Sequence, residues 1–540
     1  MTRSALAPRR SPACALVAAS AALIATAAAA TATASGIESP GTGVSQVGRG
    51  SAWVARADDP LAAYMNPAAL ATQASGAHVG AHLMLMNQCF TRRGPGNTPV
   101  PPAPGFPAPG EPGGPDAEVC SEGGVFPNPQ LAGALRLGDR IAIGLALLGP
   151  HAVGNQQWPE TVTEPSGQVQ PAPQRYLLVS SESLIVLPTL SVGFAITPEI
   201  SVGAGFIWGV ASVDVVNFSE ATSSTGGDNF DAHQDLRSRF QATDLFVPGF
   251  VLGGLFSPMS RLDVGAWFKW QDAIRSRTHL TIESLYWAPA GRPNEDPCAT
   301  REPGCNLTDD EDAGTFKLAI PMEARLGLRY HHPRAAGDAR DGRDRRDRRD
   351  RRDQRDRPTW AAGARRVRDP MSEDLFDIEL DFTWAHNSAL DAVEIRFDEN
   401  IPVRGTDVGF VPPVADVPHE WRDVLGVHLG GDVVALPNLL AFRAGGFFET
   451  QGQEDAYLNL DFHLGWRAGL AAGATVRLGP VDVSVAYQHT FFGALDNGGE
   501  GSVKALSGDA STNYQSVQSV NGGRLESSLD ELALGATLRF

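Results

Sequence analysis

The chain ends in Leu532-Ala533-Leu534-Gly535-Ala536-Thr537-Leu538-Arg539-Phe540, and its positions 532, 534, 536, 538 and 540 are all apolar. Glu531, Ala533, Gly535, Thr537 and Arg539 fill the other parity. In an extended chain, side chains two apart share a face, so this is a strand with one greasy and one wet side. Val481–Thr490 repeats the pattern, with Val481, Val483, Val485 and Tyr487 against Asp482, Ser484, Ala486, Gln488 and Thr490. A strand of a soluble sandwich also alternates. Here the minority face is small and charged across many strands, as a wet barrel interior would be.

Working outward from these two segments, the same period runs back to Gly76 and gives about fourteen strands. They fall near 76–90, 128–138, 140–149, 176–197, 199–216, 239–256, 261–283, 314–331, 374–397, 419–435, 439–449, 461–478, 481–492 and 527–540. The links alternate between tight turns, such as Thr197-Pro198-Glu199, Leu436-Pro437-Asn438 and Gly479-Pro480, and mostly long loops. Short turns at one end and long loops at the other are the outer-membrane arrangement, with the long loops outside. The expected fold is all-β, a transmembrane antiparallel β-barrel of about fourteen strands.

Composition agrees by exclusion. A formal charge of -18 over 540 residues argues against a basic nucleic-acid binder, and 58 Gly with 39 Pro favour turns over long helices. One apolar run approaches spanning length, the Ala-rich stretch from about Ala13 to Ala30 behind Arg3, Arg9 and Arg10. With Ala32-Thr33-Ala34 as a cleavage site, residues 1–34 read as a secretory signal peptide; the alternative is an N-terminal anchor. Its removal, with three Arg and no acid, takes the charge to -21. Four cysteines then remain, and Cys89 with Cys120 and Cys298 with Cys305 each bracket a turn-rich segment on the long-loop side. Two disulfides are the expectation for an exported chain; free thiols or a metal site are the alternatives, and the spacing lacks C-x-x-C pairs, so no metal is expected. One tight-turn position holds an insertion near 334–372, in which Asp338 to Arg357 carries ten Arg and seven Asp. By parity it faces the periplasm, as a tether or as a tolerated repeat expansion.

The segment before the first strand reads Gly41-x-Gly43, Gly48-Arg49-Gly50-Ser51-Ala52, Ala57-Asp58-Asp59-Pro60 and Tyr64-Met65-Asn66-Pro67-Ala68-Ala69-Leu70. It resembles the N-terminal hatch of the FadL/TodX family of outer-membrane transporters for hydrophobic compounds. The resemblance continues at Gln174-Arg175-Tyr176, at Leu190–Phe194 with Ile200–Gly205, at Glu420-Trp421-Arg422-Asp423, at Ala441–Gly445 and at Phe540. It implies a hatch over 35–74 inside a barrel over 75–540, in the bacterial outer membrane, with Asn66, Pro67 and Ala68 at the gate and Gly48, Gly50, Asp58 and Asp59 in the plug. The residues alone are compatible with that. Glycines permit close packing, Asp58-Asp59-Pro60 favours a turn, and Asn66 before Pro67 is biased away from helix. They fit an ordinary N-terminal arm equally well.

The resemblance further implies passive uptake of long-chain fatty acids or similar hydrophobic compounds by a monomer, without enzymatic activity or cofactor. An aromatic-hydrocarbon channel and a structural or adhesion barrel are the alternatives. Phe206, Trp208, Phe246, Phe250 and Phe256 are candidate pocket liners, although lipid-facing aromatics look the same in sequence. Lys269 and Lys317 fall on expected lumen faces, where one could meet a carboxylate. Pairing with Asp263 and Glu323 is the alternative. No G-x-S-x-G, H-E-x-x-H or P-loop occurs, and His331-His332 and His419-Glu420 sit at strand ends, where solvated histidines are expected.

Overall fold

The computed structural model describes residues 41–97, 118–149, 155–163, 169–220, 235–285, 308, 314–334, 367–402, 410–506, 515 and 519–540. The expected signal peptide, Cys298, Cys305 and the run Asp338 to Arg357 lie outside the described residues.

Fourteen antiparallel strands close on themselves. They are β1 (Gly76–Arg92), β2 (Phe126–Arg136), β3 (Ile141–Leu147), β4 (Ser180–Val186 and Thr189–Ala195), β5 (Ile200–Glu220), β6 (Asp235–Met259) and β7 (Leu262–Gln271 and Ile274–Leu285). There follow β8 (Gly314–Leu318 and Glu323–Pro333), β9 (Asp374–Ala385 and Ala392–Phe397), β10 (Val424–Leu436), β11 (Leu440–Glu449), β12 (Arg467–Leu478), β13 (Val481–Phe492) and β14 (Gly523–Arg539). Closure is made by β1 on β14, in register from Gly76 opposite Arg539 to Arg92 opposite Gly523. A closed ring leaves no unpaired edge in the lipid, which is what allows strands to span at all. The terminal alternation holds: Leu534 and Leu538 point out, and Glu531 and Ala533 are buried inside. No helix among the described residues is long and apolar enough to cross a membrane.

Four strands expected as continuous are interrupted, at Leu187-Pro188, Asp272-Ala273, 319–322 and 386–391. Register also slips between β5 and β6 at Gly209/Ala211. The effect is a change of face. In β7, Asp263, Trp267, Lys269 and Gln271 are buried, but beyond the break it is Ile274, Thr278, Leu280 and Ile282. β8 changes likewise, from Glu323, Arg325 and Arg329 to Phe316 and Leu318, and β6 from Val247, Val251 and Leu255 to Leu236, Phe240 and Ala242.

Residues 41–75, called the hatch below, pack against the inner wall with two short helices, α1 (Val44–Val47) and α2 (Ala62–Met65), and a 3-10 turn, Pro67–Thr72. Such short helices are marginal alone, and the wall stabilises them. The hatch lies directly against strand backbone. At Gly203 of β5 an added Cβ would sit 2.3 Å from the Pro67 carbonyl carbon, and at Gly430 of β10 it would sit 2.1 Å from the Arg49 oxygen. Only glycine permits that approach.

Candidate functional site: hatch, outer cavity and wall break

The hatch is fixed by charge. β9 turns Asp377, Glu379 and Asp381 inward at period two, all buried. Arg49, fully buried, reaches Asp377 at 2.7 Å, Asp432 of β10 at 2.7 Å and Glu379 at 3.2 Å. Arg56 contacts Asp377 at 2.7 Å and Asp58 at 3.0 Å. The same acids also cap hatch backbone. Asp381 Oδ2 accepts from Trp53 and Val54 N–H at 2.8 and 3.1 Å, and Glu379 Oε1 from Ala55 N–H at 2.6 Å. The guanidinium–carboxylate contacts in this set are charge-assisted, which makes them strong and directional. Sequence reading missed these three acids, although the alternation Asp377-Ile378-Glu379-Leu380-Asp381 carried the signal.

The expected hatch residues are spread along the inner wall. Asn66 donates to Val54 O at 2.7 Å and Gly254 O at 3.2 Å, and its Oδ1 accepts from Ala68 N–H at 3.3 Å. Pro67 and Ala68 rest on Gly193, Gly203 and Gly253 of β4, β5 and β6. Gly48 abuts the Arg443 side chain, and Gly50, at φ 58°, touches the Gly446 backbone. Asp59 caps the Leu61 amide at 2.9 Å. Burial first, then the neighbouring Asp58, push its carboxyl up to about 7. Arg56 overcomes burial at Asp58 and holds that carboxyl below the usual range.

Toward the long-loop end lies a cavity of about 420 Å³, within the usual range for a small-molecule site. Tyr176, Leu178, Phe218, Phe240, Phe316, Phe397 and Val411 line it. Arg175 lies over the Tyr176 ring at 4.2 Å and donates to its hydroxyl at 2.8 Å. Phe240 and Phe316 belong to one buried apolar cluster that continues through Ile274, Leu318, Trp421 and Trp267 to Tyr64 and Leu70 of the hatch. The same cluster includes Ala146, Leu148, Ile185 and Leu187.

Those last four lie where the described pairing of β3 with its neighbours ends. β3 pairs with β2 at Leu131–Arg136 and with β4 at Thr189–Phe194, and Leu187 N–H still donates to Leu148 O at 2.8 Å. Beyond that level, Asn155–Gln157 pairs with Ser180–Glu182. Among the described residues, Ser183–Val186 of β4 pair with β5 alone.

Other expected site residues are placed differently. Phe206, Trp208, Phe246 and Phe250 face outward, 38–51% exposed. Phe256 shares their parity and is half-buried. Their parity matches lipid-facing Leu252, and the face change beyond it brings Phe218 and Phe240 inward instead. Lys317 also points outward and pairs with Glu394, because residues 319–322 shift β8 by one face. Lys269 is inside but closes on Glu323 at 2.8 Å, the alternative pairing. His331 and His419 are buried rather than solvated, against Asp374 at 3.0 Å and Asp461 at 2.9 Å. Cys89 and Cys120 form a disulfide linking β1 to the short strand Glu118–Cys120.

Among solved structures, a FadL homologue from Pseudomonas aeruginosa matches over 94% of this chain and 100% of its own, with TM-score 0.63 and 18% identity. The fold is that of the FadL and TodX channels. The Pseudomonas putida toluene transporter TodX matches with TM-score 0.55 at 12% identity, over 94% and 99% of the two chains. The Ralstonia pickettii toluene transporter TbuX gives 0.52 at 12%, over 93% and 99%. No protein-family model and no curated protein matches. A FadL-type barrel with an apolar outer belt is an outer-membrane barrel.

Proposed function

We propose that the chain passively takes up hydrophobic compounds across the outer membrane. A ligand enters the outer cavity, moves inward along the apolar lumen and leaves sideways where β3 parts from its neighbours. The observation that carries this reading is the single apolar cluster joining Phe240 and Phe316 at the cavity, Tyr64 and Leu70 of the hatch, and Leu148 and Ile185 where the β3 pairing ends. A ligand on that path stays out of water, whereas an axial exit meets the charged contacts of Arg49 and Arg56.

Within that class, the lining favours an uncharged, hydrocarbon-like ligand over a fatty-acid anion. Lys269 is committed to Glu323 and Lys317 faces outward. Among the described residues lining the cavity, Lys504 stands against Asp391, Asp416, Glu420 and Asp461. The second reading is fatty-acid uptake with Lys504 as the carboxylate's partner. Uptake of labelled toluene and labelled oleate in a transporter-deficient host separates the two. Toluene uptake with little oleate uptake is expected. Oleate uptake that is lost in Lys504→Met favours the second reading, and uptake of neither overturns both.

A further inference from the structure

The segment Val367–Glu373 leads into β9 and takes no part in the ligand path. Arg368 N–H donates to the Thr72 oxygen at 2.9 Å, at the end of the hatch's 3-10 turn. Its guanidinium reaches Asp263 of β7 at 2.6 Å and Ser257 Oγ of β6 at 3.2 Å. The next residue, Asp369, accepts from Arg477 of β12 at 2.7 Å and from Arg539 of β14 at 3.3 Å. In a closed ring of fourteen strands, β6 and β7 stand opposite β12 to β14. Two consecutive residues therefore tie facing walls together and hold the hatch's exit between them. The anchorage continues beyond them. Met371 O accepts from Asn438 N–H at 2.9 Å in the β10–β11 turn, and Glu373 O accepts from Arg334 N–H at 2.8 Å. Met371 packs with Val434 and Ala441.

We propose that Val367–Glu373 is a strap across the periplasmic mouth, in which Arg368 and Asp369 are positioning residues that brace the hatch from below and keep the axial route shut. Burial alone would raise the Asp369 carboxyl; Arg477 and Arg539 overcome it and hold the group ionised, so the strap stays charged at neutral pH. The inference rests on the hatch being the lumen's plug and is independent of which ligand is carried.

The test uses the full chain in planar lipid bilayers, with heat-modifiable migration as the check of folding. Arg368→Ala/Asp369→Ala should raise the frequency of ion-conducting openings about tenfold or more, the shift expected from losing at least one charge-assisted bond. Asp369→Asn, which keeps the side chain's size, should show a smaller rise. It decides the matter if the double variant fails to fold. Arg368→Lys/Asp369→Glu should stay close to the parent. A folded Asp369→Asn protein as tight as the parent, even with a lowered melting temperature, overturns the strap, because a purely structural contact would change stability without opening a leak.

Discussion

β9 runs through two environments. Its first half presents Asp377, Glu379 and Asp381 to the hatch, whose arginines and amide groups they hold at hydrogen-bond distance. Its second half presents Val393 and Phe397 to a cavity lined with aromatic rings. The hatch end is ordered by directional, charged contacts that tolerate little displacement. The cavity end is ordered by non-directional apolar burial, which a ligand can replace. One wall is thus held by charge at one level and lined with apolar rings at the other.

The largest expected effect breaks the charged contacts. Arg49→Ala removes one of the cations that Asp377 and Asp432 share, leaving Arg56 on both, and the one that reaches Glu379; removing one partner of a buried charge cluster costs about 3–5 kcal/mol. The barrel should persist by heat-modifiable migration while conductance rises sharply. A quiet, stable variant would mean that the close packing at glycines suffices alone. Gly203→Val tests that packing directly. Its Cβ would collide with the Pro67 carbonyl, so a loss of about 1–3 kcal/mol from overpacking is expected, read as a lower melting temperature together with a leak.

At the cavity end, Phe240→Ala with Phe316→Ala should cut hydrocarbon uptake about tenfold with the barrel intact, since each buried ring contributes roughly 1.5–3 kcal/mol of apolar burial. Phe206→Ala and Phe250→Ala, on the lipid side, should leave uptake within about twofold, surface changes of this kind being small. If the outward pair matters as much as the inward pair, the face assignment fails. A separate effect, on stability against pH, concerns Asp59. Its raised pKa means that the fold prefers the neutral carboxyl, so stability falls as pH rises from its ordinary value near 4 to about 7 and falls no further above. Asp59→Asn should flatten the dependence of melting temperature on pH over that range.

The sequence made the strand number, the alternation of turns and loops and the Cys89–Cys120 pair legible, because each rests on local spacing; the hatch was an expectation of the family resemblance, since its residues alone fit an ordinary N-terminal arm equally well. Face changes were not legible. Nothing in Trp270-Gln271-Asp272-Ala273-Ile274 announces that inward parity passes from odd to even positions, since the slip is set by how neighbouring strands share hydrogen bonds. For that reason sequence cannot tell Phe206, Trp208, Phe246 and Phe250 as pocket liners from lipid-facing aromatics, places Lys317 on a lumen face, and does not mark out Phe218, Phe240 and Phe316. The acids of β9 failed differently. Their period was visible, but their task appears only once Arg49 and Arg56 are folded against them.

The face changes in β5 to β8 bear on more than the cavity. Below them the wall shows lipid a row of aromatics, with Trp208 edge-on to Phe246 at 4.6 Å and Phe250 stacked on Trp270 at 5.6 Å. Above them the outside becomes Arg239, Arg275, Arg277, Lys317 and Arg396, each in an ion pair, while the inside turns apolar. A surface wet without and oily within is that of a soluble cup. The slip is thus a waterline: it marks the height at which this wall leaves the hydrocarbon and continues as an ordinary β-sheet vessel standing in water.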